Sequence, residues 1–193
     1  MAKDVITIVS GLPRSGTSLM MQILEVGGLP ILKDDLRQAD ADNPKGYYEF
    51  ERVKQVARDQ AWLQDARGKA VKMVSALLLD LPDTYTYRVI FMRRTMEEIL
   101  ASQKTMLKRS GKPTDAIGDD KMAALFHKHL GQVDKWISEQ PNVHVLYVSY
   151  NEMIADPLKE IQRINQFLGS ELDTEKMVSV VDRTLYRQRS TNT

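Results

Sequence analysis

The 193-residue sequence contains no cysteine. Disulfide scaffolds, thiolate zinc sites, iron–sulfur clusters and thiol nucleophiles are therefore excluded. Neither sign of charge dominates: 27 Lys+Arg stand against 26 Asp+Glu, a net charge of +1. The basic excess of a dedicated nucleic-acid or acidic-lipid binder is missing, so no nucleic-acid partner is expected. No run of roughly 18 apolar residues occurs, so no membrane span is expected. The apolar run that follows Met-Ala-Lys-Asp is too short for a signal-peptide core, and no small-residue cleavage site follows it. The expectation is a soluble, cytoplasmic protein. Internal repeats and low-complexity tracts are absent. So are a GxSxG nucleophile elbow, an HExxH metal motif and a GxGxxG dinucleotide loop.

At this length and 42% hydrophobic residues, one domain over residues 1–193 is expected, burying about 70% of the unfolded chain's surface. Residues 4–10 (DVITIVS) are apolar on both parities, the pattern of a strand covered on both faces. A helix over 17–27 ends at Gly27-Gly28, and 34–46 reads as a polar loop. Val53, Val56, Ala57 and Leu63 recur at helical spacing and predict a helix over 49–66. Strands follow at 69–74, 87–93 and 143–149. Helices are expected at 75–81, after Thr95, at 119–139, 157–168 and 173–182, with a loop at 108–119. Strands alternating with helices give an α/β fold, a P-loop-type three-layer α/β/α arrangement with a central parallel sheet. Ligands in such sheets bind beyond the carboxyl ends of the strands. Attention falls on the segments after Ser10, Val74, Arg93 and Ser149.

The strongest local signal is Gly11-Leu12-Pro13-Arg14-Ser15-Gly16-Thr17-Ser18, between the first strand and the first helix. Glycine lets successive N–H groups turn inward, and the helix start adds free amides and a positive dipole end. Arg14 adds a forked cation; Ser15, Thr17 and Ser18 add hydroxyls. Together they suit a tetrahedral anion. Gly11 and Gly16 have the spacing of a Walker A loop, but Thr17 stands where its Lys belongs and the cation has moved to Arg14. Leu77-Leu78-Leu79-Asp80, the one apolar run that ends in Asp, reads as helical, so no Walker B metal ligand is visible. A site without metal suits a transferring group less charged than the γ-phosphate of ATP, such as a sulfuryl group. A second candidate anion site is Arg94 at a strand end with Ser102 eight residues on; the same arginine pair, Arg93-Arg94, also fits a solvated rim.

These two signals together resemble the sulfotransferase family that uses 3′-phosphoadenosine 5′-phosphosulfate. In that family a PKSGT or PRSGT loop binds the 5′-phosphosulfate, here Pro13, Arg14, Ser15, Gly16, Thr17 and Ser18. An Arg with a Ser eight residues on binds the 3′-phosphate, here Arg94 and Ser102. Val148-Ser149-Tyr150-Asn151-Glu152-Met153, Ala155-Asp156-Pro157 and Phe167-Leu168-Gly169 are similar to the family's VxYExL, DP and FLG stretches. This likeness places Tyr150 near the adenine. Lys72 resembles a strand-end Lys of many members. Leu185-Tyr186-Arg187 resembles a C-terminal segment of bacterial members, which implies that Arg187 closes over the nucleotide. The likeness implies the phosphosulfate as co-substrate, adenosine 3′,5′-bisphosphate as product, no metal, and a small-molecule, carbohydrate or peptide acceptor of unknown identity. It implies no oligomeric state.

Sulfuryl transfer needs a base for the acceptor and donors for the departing oxygen. Many animal members carry a His two residues after the strand-end Lys, where this sequence has Val74. His127 and His129 read as surface residues and His144 as structural. Asn43-Pro44-Lys45-Gly46-Tyr47-Tyr48-Glu49 resembles the NPxGYxE stretch of bacterial sulfotransferases, which implies Glu49 as base; Glu49 also fits a helix cap, and Glu51 is the alternative base. Asp34, Asp35, Asp40 and Asp42 fit a solvated loop or a feature that recognises a cationic acceptor. Lys72 and Arg14 then share the developing charge. The rival readings are a metal-dependent P-loop small-molecule kinase and a non-enzymatic nucleotide-binding protein.

Overall fold

The β-branched run after Asp4 forms β1 (Val5–Gly11), buried at every position after the first. The computed structural model that shows this describes residues 4–34, 36, 46–111, 113–114 and 117–182. Chain order continues with α1 (Thr17–Val26), β2 (Ile31–Leu32), two 3₁₀ segments (Glu51–Gln55 and Ala61–Gln64) and β3 (Ala70–Lys72). A third 3₁₀ segment (Ser75–Asp80) leads to β4 (Thr86–Arg93), α2 (Met96–Arg109), α3 (Asp119–Glu139) and β5 (Val143–Ser149). The described chain ends with α4 (Tyr150–Ala155), α5 (Pro157–Leu168) and α6 (Thr174–Ser179).

The five strands form one parallel sheet in the order β2-β3-β1-β4-β5. Period-two alternation divides its side chains between two cores. Val9, Ile90, Met92 and Val148 pack with Met20, Met21, Ile161 and Ile164 from α1 and α5. Ile6, Ile8, Val71, Val89 and Phe91 pack on the other face with Trp62, Leu63, Val133 and Ile137. Both faces are covered, as an all-parallel sheet requires, and the expected P-loop-type layered fold is what forms. Among the described residues, no helix is long and apolar enough to cross a membrane.

The predicted helix over 49–66 is two 3₁₀ segments instead. Its apolar residues fall in pairs three apart, Val53 with Val56 and Leu63 with Ala66, and the same pairs make i→i+3 backbone bonds at 3.2 and 3.1 Å. Between them the Asp59 carboxylate accepts from the Ala61 N–H at 3.1 Å and starts a new turn. Two short elements went unpredicted: the edge strand β2, and α4, where Ser149 Oγ caps the Glu152 N–H at 3.2 Å. Thr95 does occupy the N-cap position of α2, but without a side-chain cap bond.

Register places the site. Val9 pairs with Lys72, Gly11 with Met92 and Arg93 with Ser149. The carboxyl ends of β1, β3, β4 and β5 therefore share one edge, with the Gly11–Gly16 turn at its centre.

Candidate active site

The turn after β1 is tight for identifiable reasons. Gly11 has φ 149°, and a Cβ there would lie 2.5 Å from Ser15 Oγ and 2.6 Å from the Met92 carbonyl oxygen. Gly16 has φ 98°, and its Cβ would lie 2.4 Å from the Tyr150 ring. A side chain at either position is excluded on both counts, so the glycines let the turn nest against β4 and α4. Arg14 itself sits at φ 72°, an uncommon conformation for a non-glycine residue that costs about 1–3 kcal/mol and marks functional turns. Gly16 caps α1 without a side-chain hydrogen bond. The buried Ser15 hydroxyl has no hydrogen-bond partner, as befits a donor reserved for a ligand. An orphaned hydroxyl, an uncapped helix start and a nearby guanidinium fit a bound oxyanion.

The Arg14 side chain turns toward α2. Its Nε donates to Ser102 Oγ on α2 at 2.9 Å. Arg94, just beyond β4, donates from Nη1 to the Arg14 carbonyl oxygen at 3.2 Å. The two predicted anion sites are thus one connected cluster. The Arg94 guanidinium also lies over the Tyr150 ring, 4.5 Å from its centroid. Burial pushes the Tyr150 hydroxyl above its ordinary pKa, against the pull of Arg94 and Arg14 and with the push of Glu98. Pro13 is exposed and Thr17 opens α1.

A second group gathers at the end of β3. Lys72 Nζ donates to Ser18 Oγ at 3.3 Å and to the Tyr47 carbonyl oxygen, and it lies 3.8 Å from Glu49 Oε1. Ser18 Oγ donates to the same Tyr47 carbonyl at 3.3 Å. Glu49 precedes the first 3₁₀ segment and does not cap it; Phe50 holds that position. Glu51 points elsewhere, paired with Lys54 at 2.7 Å. Between Tyr47 and Glu49, Tyr48 sits at φ 54°. Its hydroxyl donates to Glu25 Oε2 at 2.6 Å, and Lys33 bonds the other Glu25 oxygen at 2.9 Å and lies 4.7 Å from the Tyr48 ring centroid. Partial burial pushes the Glu25 carboxyl up, but the hydrogen bonds from Lys33 and Tyr48 and the Lys33 charge outweigh it and hold it below its ordinary value. The same burial and the Glu25 charge push the Tyr48 hydroxyl up. This clamp holds a strained residue whose two neighbours both meet Lys72.

Sequence reasoning missed three features. Glu98 is 1% exposed and bonds Arg94 Nε at 2.7 Å; its i+4 spacing from Arg94 was the available signal. The Tyr47 main-chain acceptor leaves no mark in a sequence. His129, expected at the surface, is half-buried, with Nε2 2.8 Å from the buried Ser75 Oγ, and burial lowers its pKa. His127 and His144 are exposed, as expected for His127. Arg187, with Asp35, Asp40, Asp42 and Asn43-Pro44-Lys45, lies outside the described residues.

Known proteins share this fold. Mouse sulfotransferase SULT7A1, solved in complex with PAP, superposes with a TM-score of 0.58 at 17% identity, covering 99% of this chain and 69% of that one. The sulfotransferase domain of the Synechococcus PCC 7002 olefin synthase gives 0.54 at 15% identity, covering 96% and 81%. At such identities these two likenesses speak for the fold. No protein of curated function matches the sequence. The family model of the sulfotransferase domain matches residues 4–193. With a match over nearly its full length, and a parallel sheet ending in this loop, the chain belongs to the sulfotransferase domain family.

Proposed function

We propose that the protein transfers a sulfuryl group from 3′-phosphoadenosine 5′-phosphosulfate to a hydroxyl or amine of its acceptor. The observation that carries this reading is the junction at Arg14: its side chain bonds Ser102 and its carbonyl bonds Arg94, so the turn for one anion touches the pair for another. A nucleotide with phosphoryl groups on both the 5′ and 3′ carbons of one ribose needs two oxyanion sites this close together. The mouse neighbour's complex with PAP supports the same ligand class.

In this reading the turn, Ser15, Thr17, Ser18 and the start of α1 hold the 5′-phosphosulfate, while Arg94 and Ser102 hold the 3′-phosphate. Tyr150 flanks the base, and Arg187 closes over it. Arg14 spans the two sites. Glu49 takes the acceptor's proton as the acceptor oxygen or nitrogen bonds to sulfur. The bond from sulfur to the phosphate oxygen breaks in line, and adenosine 3′,5′-bisphosphate leaves with the electron pair. Lys72, held between Ser18 and the Tyr47 carbonyl, stabilises the charge gathering on that oxygen. Fixed donors of this kind account for much of an enzyme's rate enhancement. The acceptor is a small molecule, carbohydrate or peptide, and no metal takes part.

Thermal melts test the donor. Adenosine 3′,5′-bisphosphate without metal is expected to raise Tm, since a ligand at a hundredfold excess over Kd stabilises by about 2.7 kcal/mol. Protection by ATP that depends on Mg²⁺, with none from the bisphosphate, would establish the kinase reading instead.

A further inference from the structure

The buried cluster around Arg94 contains two groups that no step above uses. Glu98, on the first turn of α2, is 1% exposed and the Arg94 side chain 8%. Glu98 Oε2 accepts from Arg94 Nε at 2.7 Å. The Asn151 amide, on the first turn of α4, donates to both Glu98 oxygens at 3.1 and 3.2 Å. Asn151 follows Tyr150, whose ring lies under the same guanidinium. Two helices from distant parts of the sequence thus converge on one planar cation.

A guanidinium has five N–H bonds in a rigid plane. Three contacts fix that plane here: the carboxylate on Nε, the Arg14 carbonyl on Nη1, and the Tyr150 face beneath it. Once the plane is fixed, the directions of its other N–H bonds are fixed as well. A long, rotamer-rich side chain set in advance loses little freedom when a ligand arrives. A buried carboxylate beside a phosphate pocket is otherwise unfavourable, since like charges repel.

We propose that Glu98, held by Asn151, is a positioning residue that aims Arg94 and thereby sets selectivity for nucleotides phosphorylated on the 3′ carbon. The assignment rests on the donor reading above. It carries an expectation of opposite sign to simple electrostatics. If Glu98 served only to neutralise Arg94, its removal would relieve repulsion and tighten phosphate binding. If it aims Arg94, removal weakens that binding. Glu98→Gln keeps the shape but turns one acceptor oxygen into a donor facing Arg94 or Asn151.

The test is calorimetric titration of the full chain with adenosine 3′,5′-bisphosphate and with adenosine 5′-monophosphate. Selectivity is the dissociation constant of the monophosphate divided by that of the bisphosphate. Glu98→Gln and Asn151→Ala are each expected to lower that ratio tenfold or more, with affinity for the monophosphate held within twofold, and Glu98→Asp to recover part of it. An unchanged ratio, tighter bisphosphate binding, or a parallel loss for both ligands would overturn the assignment. Should Glu98→Gln fail to fold, Asn151→Ala decides on the same criteria. A wild-type protein that binds the two ligands equally would overturn the donor reading itself, a result distinct from failure of the positioning role.

Discussion

Glu49, the proposed base, stands 3.8 Å from Lys72. Its placement depends on a residue with no chemistry of its own. Tyr48 adopts a left-handed backbone, and Glu25 and Lys33 fasten its ring and hydroxyl on the far side. Removing the proposed base should spare the nucleotide. Glu49→Gln is expected to bind adenosine 3′,5′-bisphosphate as the wild type does in calorimetry, while single-turnover transfer to an acceptor found with labelled donor falls roughly a hundredfold or more. Full single-turnover rates in that variant would remove Glu49 from the mechanism. At this scale the residues singled out in the sequence, Arg14, Ser102, Arg94, Lys72 and Glu49, do meet in two groups: Arg14 with Ser102 and Arg94, and Lys72 with Glu49. The Tyr47 carbonyl and the Asn151–Glu98 contact were not legible in the sequence, because a main-chain acceptor has no residue code and the latter pair is brought together from 53 positions apart.

The strands were readable because burial on both faces forces unbroken apolar runs, as in β1 and β4. The region between β2 and β3 was not, because a spacing of three apolar positions serves a 3₁₀ turn as well as an α-helix. α4 was lost between β5 and α5, although Ser149 and Glu152 carry the pattern of a helix start. The seam between α3 and the 3₁₀ segment after β3 gives an element-scale prediction. Half-buried His129 is held below its ordinary value of 6.5 by desolvation, and it joins α3 to Ser75. The unfolded chain takes up the proton first as pH falls below 6.5. Above that pH both states are neutral there, and the contribution is fully present; acidification through the folded value removes it. Denaturant titrations from pH 7.5 to 5 should show stability falling below about 6.5, with a shallower fall in His129→Gln. Identical slopes for the two proteins would place the loss elsewhere.

At the scale of the molecule, the sheet sets the distances. Parallel strands bring every carboxyl end to one edge, and the register that pairs Gly11 with Met92 sets the turn after β1 beside Arg94. Two candidate anion sites read separately from the sequence are thereby joined through Arg14. The proposed donor site depends on that junction. Calorimetric titration of wild type and Arg14→Ala with adenosine 3′,5′-bisphosphate measures it most directly. Loss of a charge-assisted contact of about 1.5–3 kcal/mol predicts a dissociation constant raised roughly tenfold to a hundredfold. An Arg14→Ala protein that binds the bisphosphate as tightly as the wild type would contradict the account.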